Sequence, residues 1–395
     1  NEVKFYFFKS FFLIYFFILF LYILVDEVFK FNSLDLYFRS LGYFRYLIFT
    51  IAIYIVLEKT TKKQISFYVN LNLILILFVS LDIFFQFYFN KNIFGFLPGM
   101  CNSNQTNCLR FSGVFDQELI AGSFICQIGL LMFFLKSQTK FKNTNFLILL
   151  IPMLIFFTIL ITGERNALLI FLITIFFIFF FKKKIFIFSL FFFFFFKKKI
   201  FFFSLIFIFL LGIILIAGSK SNTINKRFID LYSGVNLTSS TKIIDKIKEN
   251  PWSYHYQAAI ELFLKNPITG HGIKSFRIKC LETNIDKKIL AEKNPHQYKG
   301  YRACSSHPHN YFLEFLAEQG FIGALFYLGI IFIVINCVYK KIRQQEETFL
   351  CLALGSLLLA ILFPFKPSGS FLTTYNASIF FYILGFFMHS LKIKK

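Results

Sequence analysis

Long apolar runs separated by short polar segments set the pattern of this chain. Runs able to cross about 30 Å of hydrocarbon fall near residues 5–25, 43–57, 66–88, 118–135, 145–162, 167–181, 200–217, 321–338, 347–363 and 376–390, and predict ten helices. Several are at or below the roughly 17 residues that a span ordinarily needs, so flanking residues are expected to extend them. The expected fold is all-α: a polytopic membrane helix bundle of about ten transmembrane helices, with one large loop domain over 218–308. The first run is too long for a cleavable signal and lacks a small-residue cleavage site, so it reads as a retained span. Asn1 stands where a Met would start a chain, which leaves room for residues or a whole helix ahead of it.

Composition removes the soluble alternative. Over 395 residues, 57 % are hydrophobic, 65 are Phe and only 16 % are charged, so a water-soluble globule could not hide its apolar surface. A net charge of +22 would point to nucleic acid if the cations formed a continuous face. They punctuate the apolar runs instead, which argues against nucleic acid and for membrane lipids as partners.

With the amino terminus inside, 20 of the 42 Lys and Arg fall at cytoplasmic segments and seven at short outer ones, among them Arg110, Arg165 and Lys366. The positive-inside rule therefore predicts both termini in the cytoplasm. The other 15 lie in the 218–308 loop, whose length lets it cross regardless of charge. Cys101 and Cys108 share one outer loop and Cys280 and Cys304 share the long one, so an oxidising side would permit the disulfides Cys101–Cys108 and Cys280–Cys304. Residues 179–191 (FFFKKKIFIFSLF) recur almost unchanged at 194–206 (FFFKKKIFFFSLI). The 185–196 stretch between the Lys triplets is too short to span and reads as an interfacial or re-entrant hairpin.

Candidate chemistry gathers in the long loop and the segment after it. The loop carries seven acidic residues against its 15 cations, a field that attracts diphosphates or anionic glycolipids. Residues 253–265 (SYHYQAAIELFLK) read as an amphipathic helix, with Tyr256, Ile260, Leu262 and Phe263 suited to a membrane or helix contact. The NPITGHG turn (266–272) follows and feeds Phe276 and Arg277. In SSHPHNYFLEFLAEQGFIGALFYLG (305–329), His307 and His309 end the loop, and Gly320 and Gly323 are expected to admit close packing as the helix enters the bilayer. A neutral imidazole could accept the proton of a sugar hydroxyl. Arg110, Arg165 and either Arg277 or Arg302 offer guanidinium forks suited to phosphate oxygens. Glu314 and Glu318, one helical turn apart, could orient a histidine or an acceptor sugar, or could be helix caps or surface pairs. Ligand types alone would allow a metal at His307, His309 and Glu314, but nothing in the spacing fixes such a site, and none is expected.

Taken in order, RFSGVFDQELIAGSF (110–124), TGERNALL (162–169), NPITGHGIKSF (266–276) and HPHNYFLEFLAEQGFIG (307–323) resemble the O-antigen ligase and polymerase superfamily of bacterial envelope glycan enzymes over roughly residues 105–385. The resemblance divides the chain into N-terminal transmembrane helices (1–104), a ligase-like membrane core (105–385) and a basic cytoplasmic tail (386–395). It implies an inverting, metal-independent glycosyltransferase without cofactor. Such an enzyme takes a glycan from undecaprenyl diphosphate at the periplasmic face and passes it to a hydroxyl of the lipid A core. Residue by residue, it puts the functional histidine at His309, beside Asn310, with His307 second, and matches Arg165 and Arg110 to diphosphate binding. Glu164 and Asn166 depart from the small residues usual around the turn arginine, and an arginine often found ahead of the loop helix has no counterpart near Trp252. Arg277 or Arg302 would then share the diphosphate.

Two other readings use the same residues. A polymerase would join repeat units from the same donor, and a protein-glycosylating relative would differ only in its acceptor. A non-catalytic transporter or flippase should line a path through the membrane with ionisable groups. The predicted spans hold few such groups, chiefly Asp82 and Lys9, while polar residues concentrate in one outer loop, which favours surface catalysis.

Overall fold

The computed structural model describes residues 42–101, 108–137, 145–181, 251–285, 304–345 and 348–393. The expected helices at 5–25 and 200–217, the 185–196 element, Arg302, most of the 218–308 loop and the side chains of Cys101 and Cys108 lie outside the described residues. The elements, in chain order, are α1 (Phe44–Lys59), α2 (Lys62–Phe89), β1 (Gly99–Cys101), β2 (Cys108–Arg110), α3 (Ala121–Lys136), α4 (Asn145–Thr162), α5 (Arg165–Phe181), α6 (Pro251–Lys265), α7 (Phe276–Lys279), α8 (Tyr311–Arg343), α9 (Phe349–Ile361) and α10 (Thr374–Ser390). Each of the other eight apolar runs contains a helix, and the two short strands form one antiparallel hairpin with Cys101 opposite Cys108. Two helices, α2 and α8, are long and apolar enough to cross a membrane. The apolar helices α3, α5 and α9 are shorter.

Exposure explains why the apolar content is so high. On α8, Phe321, Leu325, Leu328, Phe332, Ile335 and Tyr339 face outward at alternating steps of three and four. On α2, Phe67, Leu71, Ile74, Phe78, Leu81, Phe85 and Tyr88 do the same. Such stripes are costly in water and neutral against acyl chains, so lipid is the solvent these faces fit.

The chain forms two compact units. One holds α1, α6, α7, α8 and α10. Here α1 packs on α10: Thr50 Oγ1 donates to the Phe381 carbonyl at 3.1 Å, Tyr46 stacks on Phe381, and Gly385 lets Ile53 approach. Ala258, Ala259 and Leu262 of α6 pack with Phe276, Cys280 and Ala317. Leu262 is therefore an inward residue, whereas Ile260 and Leu264 point outward; the expected contact face of this helix is split in two.

The helix α8 is broken. Gly320 has φ 62° and ψ −153°, which ends one arm at Gln319 and starts another at Phe321. The second arm extends about 34 Å, sufficient to span. A break exposes backbone groups that must find partners. The NPITGHG turn provides them: His271 N and Gly272 N donate to the Ala317 and Glu318 carbonyls at 3.3 and 2.7 Å. Phe321 N and Ile322 N donate to the Pro267 and Ile268 carbonyls at 2.7 and 3.3 Å. Gly320 is thus more than the packing glycine expected; it is the joint into which the turn is inserted.

The other unit holds α2 to α5, the hairpin and α9. A capping box at Thr61 and Gln64 starts α2 earlier than its apolar run suggests. Asp82, expected as an ionisable group within a span, accepts from Ile93 N at 2.9 Å and Asn92 Nδ2 at 3.3 Å, so it anchors the segment that follows α2. Gly129 and Gly122 let α4 and its following turn close on α3 through Ile155 and Thr162.

Candidate functional site

Three imidazoles meet in the first unit. The His307 and His309 rings are 4.2 Å apart, and His255, from the inward face of α6, lies 5.2 Å from His309. The backbone of His309 and the helix start after it fix this segment. His309 takes a left-handed backbone, φ 58°, and its carbonyl accepts from Ser368 N at 2.8 Å. Asn310 caps α8 by accepting from Leu313 N at 3.0 Å, and its amide donates to the Pro364 and Lys366 carbonyls at 2.7 and 3.2 Å. One side chain thereby starts the helix and fastens the segment before α10. Lys366 itself is buried, with its ammonium over the Tyr311 ring.

His307 and His309 are held neutral. Burial, then His309, Lys274, His255 and Arg277 push His307 down to about 3. Burial and His255 push His309 down to about 4. His307 Nδ1 faces Ser306 Oγ at 2.8 Å, while its buried Nε2 has no hydrogen-bond partner. A neutral imidazole with an unengaged ring nitrogen can accept or hold one proton.

Below the rings lies a buried polar network that the sequence does not reveal. Lys274 (φ 64°) donates its ammonium to Ser370 Oγ, and that ammonium lies 3.7 Å from Glu314 Oε1. Glu314 also accepts from Ser370 Oγ and from Phe371 N at 2.6 Å. Glu318 accepts from Lys274 N at 2.7 Å and Phe276 N at 3.4 Å. Both glutamates are buried, so neither is a surface pair, and they accept from the backbone N–H groups of Lys274, Phe276 and Phe371 and from Ser370 Oγ. They tie two loops to the first arm of α8. Cys280 and Cys304 are disulfide-linked with Cα atoms 5.0 Å apart, which fastens the turn after α7 to the stretch entering His307. Arg277 is exposed on α7.

The second unit carries the arginines. Arg110 ends β2, donates to the Leu119 carbonyl at 3.0 Å and lies 3.6 Å from Glu164. Glu164 caps α3, accepting from Gly122 N at 2.8 Å, Ser123 N at 3.0 Å and Ser123 Oγ at 2.8 Å. A carboxylate at a helix N-terminus meets unpaired N–H groups and the positive end of the dipole. Arg165 follows as the first residue of α5, close enough to Arg110 for the two guanidinium groups to repel. Glu164, read from sequence as a departure, is thus the residue that joins this turn to both Arg110 and α3. Sequence reasoning missed it and His255. For His255, the signal was its place on the inward stripe of an amphipathic helix. Among the described residues, no group of three or more His, Cys, Asp or Glu is placed to hold a metal ion.

A mainly helical scaffold with outward apolar stripes, carrying a cluster of imidazoles at the foot of a helix long and apolar enough to span, defines a membrane protein with a polar site. Residues 148–328 match the family model for O-antigen ligase. The match takes in Arg165, Arg277, His307, His309, Glu314 and Glu318, and supports the O-antigen ligase and polymerase superfamily that the motifs resemble. Arg110 precedes it. A comparison with curated proteins found no match. The family's members are membrane glycosyltransferase-like ligases and polymerases acting on lipid-linked glycans, which supports an enzyme of that general kind in a bacterial membrane.

Proposed function

We propose that the protein transfers a glycan from undecaprenyl diphosphate to a sugar hydroxyl of the lipid A core at the periplasmic face of the bacterial inner membrane. The observation that carries this reading is the neutral His307–His309 pair within the family-matched segment, one ring nitrogen buried and unengaged. The acceptor oxygen attacks the anomeric carbon, the bond from that carbon to the diphosphate oxygen breaks, and configuration inverts. The hydroxyl proton passes to His309, with His307 as its neighbour, and undecaprenyl diphosphate leaves with the bonding electrons. No cofactor or metal enters this chemistry, because the diphosphate is already a good leaving group.

Arg165, Arg110, Arg277 and Arg302 are proposed to hold the diphosphate, which guanidinium groups suit by permanent charge and bidentate geometry. Asn310, Glu314 and Glu318 act as positioning residues through the loops they fasten. An arriving diphosphate would also raise the imidazole pKa by its negative charge, which makes the base stronger when substrate is bound.

The test is transfer by purified protein in detergent, from lipid-linked glycan to a core acceptor, with a divalent-metal chelator present. His309→Ala and Arg165→Ala are each expected to lower turnover by about 100-fold or more while retaining membrane insertion. Near-normal turnover in either removes that residue's role. Growth of the glycan on the carrier, without transfer to core, would favour the polymerase reading that the family match equally supports. No transfer at all, with transport retained in sealed vesicles, would favour the transporter.

A further inference from the structure

The outward stripe of α8 does not stop at the helix break. Phe321, 56 % exposed, begins it, and the backbone bonds Phe321 N to Pro267 O and Ile322 N to Ile268 O place Ile268 beside it. Ile268 is 68 % exposed; one helical turn further back, Leu264 is 68 % and Ile260 46 % exposed on the outer edge of α6. The opposite face of α6, with His255, Ala258, Ala259 and Leu262, is buried. A row of large apolar side chains therefore runs without interruption from the spanning arm onto a helix of the loop. Near its end, Leu281 is also exposed, in the turn whose Glu282 carbonyl accepts from Lys265 Nζ.

We infer that α6 rests on the bilayer through Ile260, Leu264 and Ile268, and that the acyl-chain and headgroup boundary is what covers this edge. Continuity decides the occupant. Phe321, Leu325 and Leu328 belong to the stripe of a span and face lipid, and Ile268 joins that stripe through main-chain bonds, so the same medium meets both. The exposed side chains of Lys265 and Arg277 lie on elements at the end of the row, where headgroup phosphates would be met. The function of such a contact is depth. With one edge of α6 seated in the interface, His255 on its other face and the His309 ring beside it are held at headgroup level. A lipid-borne substrate would then reach them by lateral diffusion without leaving the membrane.

The experiment uses the full chain in nanodiscs of phosphatidylcholine brominated on its acyl chains. The chain's one tryptophan, Trp252, is replaced as Trp252→Phe, and Leu264→Trp or Ile268→Trp is introduced as reporter. Brominated lipid is expected to quench at least half of the fluorescence at 264 and at 268, and a water-soluble quencher to reach neither. Weak quenching by lipid at both positions, alongside accessibility to a water-soluble quencher, would overturn the inference. So would Leu264→Cys yielding covalent dimers without lipid quenching, because a second copy would then cover the edge. Quenching reads position and not turnover, so the result stands or falls apart from the proposed glycan transfer.

Discussion

The Glu318 carboxylate receives the backbone N–H of Lys274 at 2.7 Å and so fixes a residue whose φ is 64°. Its second oxygen takes Phe276 N at 3.4 Å. Glu318→Ala leaves both donors buried without an acceptor, and each orphaned group costs about 1–3 kcal/mol. The expected loss is about 2–4 kcal/mol of stability, read as a lowered unfolding midpoint in detergent. Glu318→Gln keeps one acceptor oxygen and should lose roughly half as much. Equal midpoints for wild type and Glu318→Ala would show that this bond does not hold the loop.

The joint in α8 makes a sharper contrast between glycines. A Cβ at Gly320 would lie 2.5 Å from the Ile268 carbonyl carbon and oxygen, on a backbone at φ 62°. Nothing lies within 4 Å of the corresponding position at Gly272, φ 96°. Gly272→Ala therefore carries backbone strain alone, about 1–2 kcal/mol. Gly320→Ala adds a clash with main chain that cannot rotate away, and is expected to cost above roughly 3 kcal/mol or to prevent folding. Comparing the two variants by yield of folded protein and by unfolding midpoint decides whether the turn is inserted as described.

These two residues also show what was legible in the sequence. The helix at 321–338 followed from apolar length, because lipid demands an unbroken apolar run and backbone bonds closed within the segment. The break before it did not, since one glycine inside a helical pattern costs only about 1 kcal/mol, and the turn that fills the break lies some fifty residues upstream. His307 and His309 were legible as a motif at a helix start, but His255 looked like any polar residue of an amphipathic helix. Glu314 and Glu318 were legible as one turn apart; that they face loops rather than histidines depends on where residues 274 and 370 pack. The arginine turn was legible by residue type, and Glu164 was not, because its partners Gly122 and Ser123 are distant in sequence.

Glu164 gives a prediction for the second unit alone. Its carboxylate satisfies two N–H groups of α3 and lies 3.6 Å from Arg110. Glu164→Ala removes a helix cap worth about 1–2 kcal/mol and leaves a partly buried guanidinium without its counter-charge, so a total near 3 kcal/mol is expected. Ser123→Ala removes only the hydroxyl bond and should cost about 1 kcal/mol. Unfolding midpoints rank the two variants; a Ser123→Ala loss equal to that of Glu164→Ala would mean that the carboxylate is not the cap.

The imidazoles predict a pH window. Folded values of about 3 for His307 and about 4 for His309 lie below the ordinary 6.5, so between those values the unfolded chain binds more protons than the folded one. The stability gained by keeping the rings neutral is complete above pH 6.5 and is lost as pH falls towards 4 and then 3. A fall of about 1–2 kcal/mol across that window is expected after allowing for partial exposure, and His307→Gln should flatten part of it. Burial sets this sign, and His309, Lys274, His255 and Arg277, which face His307, add to it. Activity should follow the same values: kcat/KM, which reports the free enzyme, stays flat from pH 8 to below 6, and its acid limb lies near or below pH 5. The limb of kcat should sit higher, because bound diphosphate raises the pKa of the base. A kcat/KM limb centred at 6.5 would mean that the rings are solvated and that the buried pair is not the proton acceptor.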